Sequence, residues 1–139
     1  MREGTFEISS LENAAARLGE ILERYAKDTT DDAIRDSVIQ RFEFTYAITL
    51  KTLRKYFIER AFIVDDVNQM SFNDMIRTAN QLNLLKSNLE EWSKYRELRN
   101  MSSHTYDEEI AKKVVSAIPA FYEEIEFLLA KLKEKFVND

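Results

Sequence analysis

AIRDSVIQRFEFTYAITLKTLRKYFIERA, residues 33–61, runs for 29 positions without a glycine or a proline. Ile34, Val38, Phe42, Tyr46 or Thr45, Thr49, Leu53 and Tyr56 or Phe57 recur at helical spacing and make one stripe. At 1.5 Å per residue the segment predicts a helix of more than about 40 Å. Ile39, Phe44, Ile48 and Leu50 point to other sides of it. Apolar residues on more than one side imply a central helix or one that lies at a subunit interface.

The rest of the chain agrees with a helical class. Among 139 residues there are only two glycines, Gly4 and Gly19, and one proline, Pro119, too few for the turns of a many-stranded sheet. A chain of this length is expected to be one domain, 1–139, burying roughly two thirds of the surface its unfolded form exposes. Twenty basic against 25 acidic residues give a net charge of -5, which opposes broad nucleic-acid binding, so any RNA contact must be local. The absence of cysteine removes disulfides and thiolate metal sites, and a lone histidine leaves little beyond carboxylates for zinc. Neither a metal nor another cofactor is indicated. The start, MREGTFEISS, lacks the apolar core of a signal peptide, and no run approaches the roughly 18 apolar residues of a membrane span. A cytoplasmic protein is expected.

Five helical patterns follow along the chain. Ser9 and Glu12 have capping-box spacing before a helix that ends near Lys27, and the cluster Asp28 to Asp32 reads as a turn with an acidic N-cap for the long second helix. A weakly structured connection, Val64 to Met70, precedes a short helix opened by Ser71 with Asp74. Asn83 to Asn88 connect it to a fourth helix carrying Leu89, Trp92 and Arg99. Thr105 and Glu108 suggest a further capping box, so the last helix should begin near Tyr106, and Pro119 should kink it. Glu123, Glu124, Lys131, Lys133 and Glu134 read as its solvated face. Trp92, Phe42, Phe44 and Tyr46 read as core or dimer interface rather than base-stacking platforms.

Chemistry concentrates in RNMSSHTYDE, Arg99 to Glu108, which holds the only histidine. An imidazole moves protons near neutral pH, a guanidinium grips phosphate through paired hydrogen bonds, and a phenol becomes a nucleophile once a base activates it. On one continuous helix, five steps of about 100° would set Arg99 and His104 some 140° apart. Either the helix breaks between them or two chains cooperate. Ser102, Ser103 and Thr105 favour a break, because hydroxyl side chains suit helix ends.

Arg-x4-His-x-Tyr, filled by Arg99, His104 and Tyr106, resembles the signature of the HEPN superfamily, in the branch that accompanies minimal nucleotidyltransferases (nucleotidyltransferase substrate-binding proteins). Asp36 to Tyr46 with Lys51, Ser71 to Leu85, and Trp92 with Arg99-Asn100 extend the likeness over most of the chain. Ala47 and Leu50 depart from it, standing where the branch commonly has an acidic residue and frequently a tryptophan. The resemblance implies an all-α, up-and-down bundle of four to five helices with a long second helix. It also implies a homodimer in which two arginines and two histidines line one cleft.

By the same resemblance the chain is expected to be the toxin of a toxin-antitoxin pair, a metal-independent endoribonuclease. His104 would serve as general base or acid, Arg99 would stabilise the phosphoryl charge, and Asn100 and Ser103 would support them. Lys94, Arg96, Lys112 and Lys113 could offset the overall acidity for an RNA strand. The partner nucleotidyltransferase, acting as antitoxin in a heterotetramer or larger assembly, would silence the toxin by adenylylating Tyr106. The alternative is a non-catalytic subunit that presents a substrate to that partner. An intact Arg99/His104 pair is necessary for the first role and compatible with the second.

Overall fold

The computed structural model describes residues 8–60 and 62–138, with side chains as far as residue 135. Most of the opening MREGTFEISS and Ala61, the expected last residue of the long helix, lie outside the described residues. Six α-helices follow in order: α1 (Ser9–Lys27), α2 (Asp32–Glu59), α3 (Val64–Asn68), α4 (Phe72–Gln81), α5 (Leu89–Met101) and α6 (Glu108–Asn138), with a 3-10 turn, Ser102–His104, between the last two. No strand occurs among the described residues, and none of their helices is long and apolar enough to cross a membrane.

Four long helices make an up-and-down bundle, and side-chain pairings fix their directions. Arg41 reaches the Arg17 carbonyl at 2.9 Å and Thr45 lies against the Ala14 carbonyl, so α1 and α2 are antiparallel. Lys133 pairs with Glu12 at 2.8 Å, and Tyr122 packs against Gly19, which sets α6 antiparallel to α1. A Cβ on Gly19 would lie 2.6 Å from the Tyr122 hydroxyl, so glycine permits this close approach. The short α3 and α4 occupy the crossing from α2 to α5.

Helix α2 is 28 residues long, about 42 Å. The expected stripe is buried along Val38, Phe42, Thr45, Tyr46, Thr49, Leu53, Tyr56 and Phe57. Thr45 and Thr49 satisfy their buried hydroxyls by bonding the Arg41 and Thr45 carbonyls, both at 2.7 Å. Phe121 of α6 meets the rings of Phe42 and Tyr46 from α2 and of Trp92 and Tyr95 from α5, with centroids 5.0 to 6.3 Å apart. Buried rings of this size typically contribute about 3–5 kcal/mol against truncation to alanine. This aromatic knot sets the register of α2 against α5, and hence the place where the signature meets the long helix.

Four local expectations are corrected. The connection after α2 contains the one-turn helix α3, held by buried Val67. Ser9 is the first helical residue rather than the cap, which is Ile8 without a side-chain bond. At α6 the cap is Asp107, whose carboxylate accepts from the Glu109 and Ile110 amides at 2.9 and 3.3 Å, not Thr105. Glu124 is not on the solvated face: it is 2% exposed and accepts from the amide and hydroxyl of Ser87, anchoring the α4–α5 connection to α6. Burial, followed by this carboxylate, pushes the Tyr95 phenol above the ordinary phenol range. Helix α6 continues through Pro119, although proline can give no amide to the Val115 carbonyl.

Candidate active site

Helix α5 ends at Met101 and the chain tightens into the 3-10 turn before α6, so the helix breaks between Arg99 and His104. The turn is built from the hydroxyls that favoured it. Ser102 donates to the Arg99 carbonyl at 2.7 Å, Ser103 to that of Asn100 at 3.0 Å, and Thr105 lies 3.4 Å from that of Ser102. Asp107 then starts α6, and its neighbour Glu108 turns back to Arg35 on α2. The two Arg35 nitrogens donate to Glu108 at 2.6 and 3.3 Å. Arg35 is 7% exposed, and this bidentate clamp ties the signature's far end to the first turn of α2. The hydrogen bond from Arg35 holds the Glu108 carboxyl below its ordinary range.

Arg99 faces inward along α2. Its Nη1 lies 3.2 Å from a Glu43 carboxylate oxygen and 3.2 Å from the Ser102 hydroxyl, which itself donates to Glu43 at 2.5 Å in an alternative to its helix-end bond. Sequence reading missed Glu43. Only the presence of an acid between Phe42 and Phe44, inside the apolar run, could have drawn notice to it. The Arg99 and Glu43 side chains are 41% and 31% exposed, so solvent screens the pair and its stabilisation is about 0–1 kcal/mol. Its effect is orientation. The guanidinium uses one nitrogen here, which leaves further donors of its fork for a phosphate.

Two adjoining cavities of about 300 Å³ each run along this seam. One is lined by Gln40, Glu43, Phe44, Ala47 and Arg99; the other is lined by Asp36, Ile39, Gln40, Glu43, Ser102, Thr105 and Tyr106. Gln40 and Glu43 belong to both. Phe44 is 60% exposed at the edge, whereas Phe42, Tyr46 and Trp92 are core.

His104 and Tyr106 lie together on the outer side of the turn. Their rings meet edge to face at 5.9 Å, and His104 Nδ1 is 3.3 Å from the phenol oxygen. His104 is exposed, and Tyr106 is 86% exposed, the most open of the large apolar side chains described. Nδ1 faces Tyr106, and Nε2 has no hydrogen-bond partner among the described residues. Within one chain, His104 lines neither cavity and makes no hydrogen bond to Arg99 or Asn100. The serine that touches Arg99 is Ser102; Ser103 and Asn100 are exposed and meet through a helix-end bond.

A broken helix, an inward arginine and an outward histidine–tyrosine pair thus make up the signature. The family model described as "Nucleotidyltransferase substrate binding protein like" matches residues 6–134. The chain belongs to this family, a branch of the HEPN superfamily. It is 36% identical over 104 residues to a "Probable ribonuclease HepT" of Haemophilus influenzae, covering 75% of this chain and 70% of that protein. A solved structure from the same organism, described as revealing "the fold of a substrate binding domain of a nucleotidyltransferase", superposes with a TM-score of 0.84 at 30% identity, over 91% of this chain and 99% of that one. In this chain the Arg-x4-His-x-Tyr signature is the α5 end, the 3-10 turn and the approach to α6.

Proposed function

We propose that this protein is the toxin of a toxin-antitoxin pair, an endoribonuclease that needs no divalent metal. The observation that carries the reading is the division of the signature across the turn, with Arg99 held inward by Glu43 and Ser102 while His104 and Tyr106 project together into solvent. The ribonuclease likeness at 36% identity supports it. In the reaction a ribose 2'-oxygen attacks the adjacent phosphorus and loses its proton to a general base. The P–O5' bond breaks, and the leaving oxygen takes a proton from a general acid, giving a 2',3'-cyclic phosphate. His104 Nε2 performs one of these transfers, worth typically 10²–10⁴-fold. Arg99 meets the charge that develops on the non-bridging oxygens.

Because His104 and Arg99 face different ways in one chain, two copies complete the cleft. Pairing about a twofold axis across the open side of α2 and the signature brings two arginines and two histidines to one seam and covers Phe44.

Tyr106 is the control point. The partner nucleotidyltransferase supplies the base that takes the phenolic proton. The phenol oxygen attacks the α-phosphorus of ATP, a P–O bond forms and pyrophosphate leaves. The new phosphodiester sits beside His104 Nδ1, now 3.3 Å from the oxygen modified, where its negative charge crowds the imidazole and repels an RNA phosphate. Incubation with the partner, ATP and magnesium is expected to add one adenylate, located on Tyr106 by peptide mass spectrometry, and to silence cleavage. Full labelling of Tyr106→Phe would refute the assignment.

A second reading, a non-catalytic subunit presenting a substrate to the nucleotidyltransferase, is favoured by one feature: Arg99 is already paired with a carboxylate. Growth arrest when the chain is expressed without its partner selects the toxin; unimpaired growth selects the subunit.

A further inference from the structure

The exposed side of α2 changes character along its length. Its first half presents Asp32, Asp36 and Glu43; of its two cations, buried Arg35 is neutralised by Glu108, and Arg41 turns to Glu20 and the Arg17 carbonyl of α1. Beyond Phe44 the helix carries Lys51, Arg54 and Lys55 against a single acid, Glu59, and Arg60 follows as its C-cap. Lys51 and Lys55 are exposed and Arg54 is half-buried, and none of the three has an ion pair or side-chain hydrogen bond with any described residue. Positions 47, 51, 54 and 58 share one side of the helix. Ala47 lines the same cavity as Arg99, so the basic stretch continues directly from that cavity. Arg96, one turn before Arg99 on α5, is exposed over the Phe72 ring at 5.1 Å. On α2, Lys51, Arg54 and Lys55 thus lie on one side of the Arg99–Glu43 pair and Asp32 and Asp36 on the other, while α5 brings Arg96 and Lys94 together with Glu90, Glu91 and Glu97.

We infer that Lys51, Arg54 and Lys55 form a one-sided phosphate track, along which a single-stranded RNA leaves the scissile phosphate toward the C-terminal end of α2. The inference rests on the ribonuclease reading and adds direction to it. Successive turns of a helix set side chains about 5–6 Å apart, a spacing that lets Lys51 and Lys55 meet neighbouring phosphates of an extended strand. The acidic end, where the second cavity contains Asp36 and Glu43, repels the strand. One-sided placement also reconciles local RNA binding with a net charge of -5.

Fluorescence anisotropy with a short fluorescein-labelled single-stranded RNA tests this, using full-length His104→Ala protein so that the probe is not consumed. Adding Lys51→Glu and Lys55→Glu is expected to weaken binding about tenfold or more at low salt. The slope of log affinity against log salt should fall by about 1.4, roughly 0.7 for each phosphate that is no longer neutralised. Lys131→Glu, on α6, should change neither. If the wild type cleaves RNA but the double reversal keeps the parental affinity and slope, the track is wrong and the ribonuclease reading stands. If the reversal spares RNA binding but weakens capture of the nucleotidyltransferase, the patch belongs to a protein interface and the track is overturned. If the wild type neither binds nor cleaves RNA, the ribonuclease reading falls and the track with it.

Discussion

Glu43 sets the position of Arg99. One carboxylate oxygen takes hydrogen bonds from the Arg99 guanidinium and the Ser102 hydroxyl, so arginine, serine and glutamate hold one another at the end of α5. Because the pair is partly solvated, replacing the carboxylate should alter stability by less than about 1 kcal/mol. Its effect on a reaction is larger, since misplacement of a charge-stabilising group by about 1 Å costs up to roughly 100-fold. We expect Glu43→Gln to lower kcat by between about 10- and 100-fold with a nearly unchanged melting temperature, measured by single-turnover cleavage and calorimetry. Unchanged kcat would reduce Glu43 to a bystander. Arg99, His104 and Tyr106 were legible because they lie within eight residues of one another. Glu43 was not, because its partner is 56 residues away and only the register of α2 on α5 brings them together.

At the scale of elements, the clamp between α2 and α6 carries a pH signature. The Arg35 hydrogen bond depresses the Glu108 carboxyl below its ordinary value of 4.5 in the folded protein. The stabilisation is therefore complete above pH 4.5 and is lost as pH falls through the lower folded value. Arg35 is raised above the ordinary guanidinium range by the same bond, a shift that acts only at extreme alkaline pH. Glu108→Gln should remove this part of the acid-induced loss, so its stability should decline less than that of the wild type below pH 4.5 in urea titrations. Parallel curves for the two proteins would contradict the clamp. Helix boundaries were readable where side chains cap locally, as at Asp31, Ser71 and Asn88. They were misread where a long-range partner competes: Glu108 fitted a capping box in sequence, but Arg35 takes its carboxylate and Asp107 becomes the cap.

At the scale of the molecule, the long helix announced the bundle, and the scarcity of glycine and proline excluded the sheet. What the chain alone could not reveal was which sides of α2 the other helices cover. The answer leaves Phe44 open beside Arg99, and light scattering should return a dimer mass across micromolar concentrations, with Phe44→Glu shifting it toward the monomer. A monomer mass for the wild type would refute the shared cleft. Everything proposed for the signature depends on its cleaving RNA by itself. The deciding experiment is cleavage of RNA in EDTA by the unmodified protein, Arg99→Ala and His104→Ala, read by denaturing gel and by end-group analysis for a 2',3'-cyclic phosphate. Cleavage by the wild type and a loss of at least about 100-fold in each variant are expected. A silent wild type, or a His104→Ala protein that cuts as fast as its parent, would overturn the assignment.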